Sequence, residues 1–183
     1  MSHFFPDEWI ASAYRIDYEA LYREGRRGLI FDIDNTLVPH GAPADARAKA
    51  LFRRLREIGF TCCLLSNNKE KRVKMFNEEI GIHTVSSAMK PFASGYRRAM
   101  EKLGTDEAHT VFIGDQIFTD VWGATRLGIY SILVGQIDRR EEIQIVLKRL
   151  IEKPVLRLYR RRVSEETRTR HQTDTEITAT SEK

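Results

Sequence analysis

Two aspartates stand two residues apart, Asp32 and Asp34, where the apolar run Gly28-Leu29-Ile30-Phe31 gives way to Asn35-Thr36. In an extended strand, residues i and i+2 point to the same side. Where the strand ends the geometry loosens, and the pair can divide its labour: one carboxylate attacks a phosphorus while the other handles a proton. Two like charges this close repel unless a cation shares the site, which implies a Mg²⁺ partner.

Three later segments supply the rest of such a site. Ser66-Asn67-Asn68 follows Leu64-Leu65, Lys90-Pro91 precedes an amphipathic stretch, and Gly114-Asp115-Gln116 is followed by Asp120. Phosphoryl transfer needs a nucleophile, a metal, and positive or hydrogen-bonding groups around the equatorial oxygens. In these terms Asp32 is the candidate nucleophile and Asp34 the candidate acid/base. Ser66 and Asn67 can donate to phosphate oxygens, and Thr36 can bond the loop or the phosphate. Lys90 brings a fixed positive charge, while Asp115 and Asp120 offer the oxygen ligands that hard Mg²⁺ prefers. Taken singly, each has a plainer reading. An Asp pair caps a turn, Ser66 is a turn residue, Lys90 is a solvated lysine, and Asp120 is a first-turn helix carboxylate favoured by the dipole. Asn35, Asn67 and Asn68 read equally as turn formers. The histidines lack metal-ligand spacing, and only His40 lies near the loop after Asp34.

The elements that must hold these residues are legible in the hydrophobic pattern. Apolar runs at 29–33, 61–65, 83–86, 110–113 and 129–134 are rich in Val, Ile, Leu and Phe without strict alternation, as strands buried on both faces are. Between them run helical stripes: Ala48, Leu51, Phe52, Leu55 and Ile58; Val73, Phe76 and Ile80; Phe92, Tyr96, Met100 and Leu103; Ile117, Val121, Ala124 and Leu127. Gly59, Gly81, Gly104 and Gly128 follow the stripes in turn, the helix C-terminal signal. A fifth helix is expected over 140–151, ended by Pro154. Alternating strands and helices at this spacing predict an α/β fold with a parallel sheet. Ligands in such sheets sit beyond the carboxyl ends of the strands, so positions 32, 66, 90 and 115 converge on one rim.

These motifs resemble those of the haloacid dehalogenase (HAD) superfamily of phosphatases: FDIDNT, LLSN, the lysine of MKP, and GDQIFTD, in order. The finer resemblance is to the subclass IIIA, YqeG-type phosphatases, through FFPDEW, FDIDNTLV, SNN, KPF and GDQIFTDVWGATRLG, and it spans residues 4–151. That family includes eukaryotic mitochondrial members that dephosphorylate phosphatidylglycerophosphate. The resemblance implies a Rossmann-like three-layer core and an aspartyl-phosphate intermediate on Asp32. It makes Asp34 the acid/base, gives Ser66 and Lys90 the phosphate, and assigns Mg²⁺ to Asp32, the Asp34 carbonyl and Asp115. Asp120 is then an outer-shell or alternative metal carboxylate. Members often carry a cap domain after the first motif or between the second and third. Here 37–47 and 68–89 leave no room for one, and an open site suits a phosphate on something large.

With 183 residues, 42% hydrophobic and 31% charged, the chain reads as one globular domain. No apolar run approaches the ~20 residues of a membrane span, and no secretory signal opens the chain. Cys62 and Cys63 form no disulfide framework and fit a reducing cytosol. The net charge of +4 allows anionic partners. We divide the chain into an N-terminal amphipathic segment packing on the core (1–27), the catalytic core (28–153), a basic segment (154–163) and a disordered tail (164–183). Phe4, Phe5, Trp9, Ile10, Ala13 and Tyr14 read as a partly helical aromatic stripe, and Arg157, Arg160, Arg161 and Arg162 alternate with apolar residues. Either segment can pack on the domain or lie on an anionic membrane. Nucleic acid is not an expected partner, since no recognition motif or stacking platform accompanies the arginines. The expectation is a cytoplasmic Mg²⁺-dependent phosphomonoesterase, in peripheral contact with the inner face of the membrane and acting on phosphatidylglycerophosphate. The alternatives are a phosphatase of soluble sugar or nucleotide phosphates, and a catalytically idle phosphate-binding or ribosome-associated protein.

Overall fold

Three apolar runs lie side by side at the centre of the molecule: β2 (Gly28–Phe31), β3 (Thr61–Leu65) and β5 (Thr110–Gly114), almost wholly buried. The computed structural model describes residues 3–138. The sheet has six strands, in the order β1-β6-β5-β2-β3-β4, with β1 at Glu8–Ile10, β4 at His83–Val85 and β6 at Tyr130–Val134. Every pairing is parallel. Successive residues of a strand face opposite sides. Leu29 and Phe31 therefore pack with the helices on one face, while Ile30 packs on the other with Cys63, Leu65 and Phe112.

Helices cover both faces, as a parallel sheet requires. The first face carries α1 (Tyr18–Arg23), α2 (Ala46–Ile58) and α3 (Glu70–Asn77); the second carries α4 (Ala93–Leu103) and the short α5 (Trp122–Thr125). Helix α2 shows how local sequence sets an element. Asp45 caps its N-terminus by accepting from the Ala48 N–H at 2.7 Å. Ala48, Leu51, Phe52 and Leu55 form its buried stripe, and Gly59 ends it in the left-handed region at φ 111°. The result is a three-layer Rossmann-like α/β core without a cap among the described residues.

Three expectations need correction. The sheet has a sixth strand: within the segment read as a partly helical stripe, the residues around Trp9 form β1, which pairs with β6, while Ala13–Arg15 do form a helical turn. Alternating exposure over three residues carries too little pattern to tell strand from helix. Phe92 does not join the α4 stripe. It is the N-cap residue of α4 and is exposed, and the helix buries Tyr96, Ala99, Met100 and Leu103 instead. The stretch 117–127 is not one α-helix but a π-turn over Ile117–Val121 followed by α5. The expected helix at 140–151, the basic segment and the tail lie outside the described residues.

Candidate active site

The chain moves from β2 to β3 and β4 on one side, then returns to β5 and β6 on the other, so the loops leaving β2 and β5 part from each other. In α/β sheets this divergence opens the ligand crevice. Asp32, Ser66 and Asp115 each follow directly on β2, β3 and β5, and Lys90 lies in the loop after β4. Asp32 keeps the sheet's pairing for one residue more, its N–H donating to the Ile113 carbonyl at 2.9 Å.

Lys90 is the hub. Its Nζ donates to Asp32 Oδ1 at 2.6 Å and to Asp120 Oδ1 at 2.7 Å, and all three side chains are buried. Burial disfavours the ammonium, but the Asp120 and Asp32 carboxylates outweigh it and raise the Lys90 pKa, so the group is charged. Burial conversely pushes the Asp32 carboxyl up to about 6, against the pull of Lys90 and helped by the charges of Asp120 and Asp34. An ion pair ordinarily lowers its acid partner. Here one ammonium serves two carboxylates, and a third stands beside them.

That third group is Asp115. One carboxylate oxygen from each of Asp32, Asp115 and Asp120 lies within 4.8 Å of the others, all three residues buried. Asp115 accepts from Thr36 Oγ1 at 3.2 Å and from Gln136 Nε2 at 3.0 Å. Three buried carboxylates thus converge, two of them on one ammonium. An all-oxygen donor set of this kind fits a hard divalent cation.

Asp120 owes its place to two residues on either side. The Tyr96 hydroxyl donates to the Thr119 and Asp120 carbonyls at 2.6 and 3.2 Å, anchoring the π-turn to α4. Gly114 lets the carboxylate approach: a Cβ there would stand 2.4 Å from Asp120 Oδ2. The Gln116 N–H also donates to Oδ2, at 3.1 Å.

Asp34 is held apart from this cluster. Its Oδ1 accepts from the Gly41 N–H and from Arg72 Nη2, both at 2.8 Å, and its Oδ2 from Asn68 Nδ2 at 2.5 Å. The exposed His40 ring has Nδ1 3.9 Å from the same Oδ1. The Ser66 hydroxyl oxygen accepts from the Asn68 N–H at 3.2 Å and from Asn68 Nδ2 at 3.1 Å. Asn67 is engaged with the backbone of Lys90: its Oδ1 accepts from the Lys90 N–H at 2.6 Å and its Nδ2 donates to the Lys90 carbonyl at 3.1 Å. In this arrangement Asn67 fixes the lysine loop, whose Lys90-Pro91 peptide is cis.

Thus the structure gathers Asp32, Lys90, Asp115, Asp120 and Thr36, and sets Asp34, Ser66 and Asn67 around them. Sequence reasoning missed Arg72, Gln136 and Tyr96, and took Asn68 for a turn former. Arg72 lies on an amphipathic helix, where an arginine reads as solvent-facing. Its position one turn before Phe76 on the buried stripe of α3 was the available signal.

Comparison with known proteins agrees with this geometry. A protein-family model described as HAD-hydrolase-like matches residues 87–147. Probable phosphatase YqeG from Bacillus subtilis (strain 168) is 34% identical over 160 residues, which cover 87% of this chain and 93% of that protein. Phosphatidylglycerophosphate phosphatase 1, chloroplastic/mitochondrial, from Arabidopsis thaliana is 29% identical over 147 residues, 72% of this chain but only 40% of that longer protein. Among solved structures, an uncharacterized protein from Listeria monocytogenes serotype 4b shares the fold with a TM-score of 0.50 at 20% identity, over 64% of this chain and 86% of that one.

Proposed function

This chain belongs to the YqeG family of HAD-superfamily phosphatases, and we propose that it hydrolyses phosphatidylglycerophosphate through an aspartyl phosphate on Asp32, with Mg²⁺ as cofactor. The observation that carries the chemistry is Lys90 Nζ, bonded at once to Asp32 at 2.6 Å and Asp120 at 2.7 Å beside the Asp115 carboxylate. This arrangement keeps the nucleophile ionised and aimed while it is shielded from bulk water.

A carboxylate oxygen of Asp32 attacks the phosphorus, and the bond to the leaving oxygen breaks as that oxygen takes a proton from Asp34. Asp34 then removes a proton from water, whose oxygen attacks the phosphoaspartate. Inorganic phosphate leaves and the Asp32 carboxylate returns. In the conformation described Asp34 accepts from Gly41, Arg72 and Asn68, so carrying the proton it gives to the leaving oxygen requires Asn68 or Arg72 to release a carboxylate oxygen. Lys90, the Ser66 hydroxyl and Thr36 receive the phosphoryl oxygens. Asp32, the Asp34 carbonyl and Asp115 would hold Mg²⁺, which would supply charge neutralisation at the phosphoryl group.

The lipid substrate is supported by the open site and by the activity named for the Arabidopsis relative. No helix among the described residues is long and apolar enough to cross a membrane, and we place the protein peripherally at the inner face of the cytoplasmic membrane. The test is phosphate release from phosphatidylglycerophosphate in mixed vesicles, with Mg²⁺ or chelator, wild type beside Asp32→Asn. Release that needs both Mg²⁺ and Asp32 establishes the reading. Hydrolysis of a soluble aryl phosphate without release from the lipid keeps the phosphatase and removes the lipid.

A further inference from the structure

We infer that the turn carrying Lys90 is also a membrane contact, in which Met89 and Phe92 enter the interface of an anionic bilayer and bring the open site down onto its surface. The inference rests on the lipid-substrate reading for its purpose, and on the turn itself for its geometry.

Two large apolar side chains stand exposed beside a buried cation: Met89 is 61% exposed and Phe92 66%, while Lys90 between them is 7% exposed. The Phe92 N–H donates to the Met89 carbonyl at 2.9 Å, closing a four-residue turn that sets the two side chains close together. The loop does not gain this exposure by looseness. Asn67 clasps the Lys90 backbone from both sides, and the Ser87 and Ala88 N–H groups donate to the Asn68 and Ser66 carbonyls at 2.8 and 3.0 Å. A fixed turn presents the pair outward.

Another exposed apolar residue belongs to the same rim. Ile137, 40% exposed, follows β6, and its N–H donates to the carbonyl of Asn35 in the loop after Asp34 at 3.1 Å. Met89, Phe92 and Ile137 are thus three of the five exposed large apolar residues described; the others, Trp9 and Met75, are elsewhere. Scattered surface apolar residues are ordinary, but a cluster around a site mouth marks an interaction surface. Charge favours an anionic partner. Lys69 and Lys71 are exposed where α3 begins at this rim, and Arg97 and Arg98 are exposed in α4 behind Phe92. Besides the aspartates of the site itself, described acidic groups at the rim are Asp45, which caps α2, Glu70, which pairs with Lys74, and Asp138. Apolar tips beside basic side chains suit the boundary between acyl chains and anionic headgroups.

The test separates docking from catalysis. Full-length protein is sedimented, without metal or substrate, with vesicles of phosphatidylcholine alone or mixed with phosphatidylglycerol. Wild type, M89S/F92S and F92W are compared. The expected result is binding to the mixed vesicles, weakened about tenfold or more in the double variant, with hydrolysis of a soluble aryl phosphate kept within about twofold. F92W emission, corrected for Trp9 and Trp122 with the wild type, shifts to the blue on the mixed vesicles. Unchanged binding by M89S/F92S, or an unshifted F92W spectrum, overturns the inference. The vesicle result stands whether or not phosphatidylglycerophosphate is turned over, so failure of the substrate reading is seen separately.

Discussion

Arg72 Nη2 lies 2.8 Å from Asp34 Oδ1, a part-buried ion pair between residues 38 positions apart in the chain. The guanidinium Nε and Nη1 are buried without a hydrogen-bond partner in the conformation described, and Asp34 is the charged partner of the arginine among the described residues. The pair joins α3 to the loop after β2 and fixes the orientation of the carboxylate. A lysine can supply the charge but not the planar fork.

Arg72→Ala is therefore expected to lower kcat about 10- to 100-fold on a soluble aryl phosphate, as loss of orientation at a proton-transferring group does. Arg72→Lys restores part of this. Steady-state kinetics on both variants check it; equal kcat in wild type and Arg72→Ala removes the orienting role.

Stability and activity part company at Asp32. The Asp32→Asn protein is expected to lose turnover, because the proposed nucleophile is removed. Yet the substitution removes one of the two buried carboxylates that share the Lys90 ammonium, with the Asp115 carboxylate close by. The metal-free variant is expected to equal or exceed the wild type by about 1 kcal/mol, roughly 2–4 °C in melting temperature. Lys90→Met does the reverse: it strands Asp32 and Asp120 and costs about 3–5 kcal/mol. Urea unfolding of the three proteins in chelator distinguishes the order.

Mg²⁺ bound among these carboxylates would stabilise the folded protein. Thermal unfolding is expected to rise with Mg²⁺ concentration, approaching about 2.7 kcal/mol of added stability at a hundred times the dissociation constant. Asp115→Asn abolishes most of the increase. A melting temperature indifferent to Mg²⁺ in the wild type counts against the metal site.

Burial pushes the thiols of Cys62 and Cys63 up to about 12. At pH 8 only about one molecule in ten thousand then carries either thiolate. Reactive fraction grows tenfold per pH unit, since the thiolate is the form that attacks. Native protein is expected to resist a thiol reagent at pH 8 and to release two equivalents in denaturant, counted by absorbance. Rapid labelling of folded protein contradicts the burial.

Gly114→Ala places a methyl group 2.4 Å from Asp120 Oδ2. The carboxylate must shift, and Lys90 with it. A loss of about 1–3 kcal/mol is expected together with most of the activity, read by denaturant titration and a single-point assay.

How much of this was legible in the sequence depended on whether the signal was local. Asp32, Asp34, Ser66, Lys90 and Asp115 announce themselves because each follows an apolar run, and the run's end is visible in the residues beside it. The parallel core strands were readable for the same reason. Arg72, Asn68 and Gln136 were not, because their partners are fixed by tertiary approach. Phe92 was assigned to a helix stripe by its spacing from Tyr96, yet the turn at Lys90-Pro91 sets it outside the helix and into water. The strand β1 is too short for its period to show, and is defined by its partner β6.

That pairing also orders the way the chain reaches its native state. β1 is the first strand in sequence and β6 the last of those described, and the Asp7 N–H meets the Ser131 carbonyl across 124 positions. Such a contact closes a very long loop, and contacts of high sequence separation form slowly. On a ribosome β1 emerges before the other described strands and waits without its edge partner until residue 134 has been made, while β2 and β3 already have each other. The outer edge of β6 is open until then, a template for another chain. Residues 8–10 thus complete the described sheet on the β6 edge, and the interval before they dock leaves that edge exposed to aggregation.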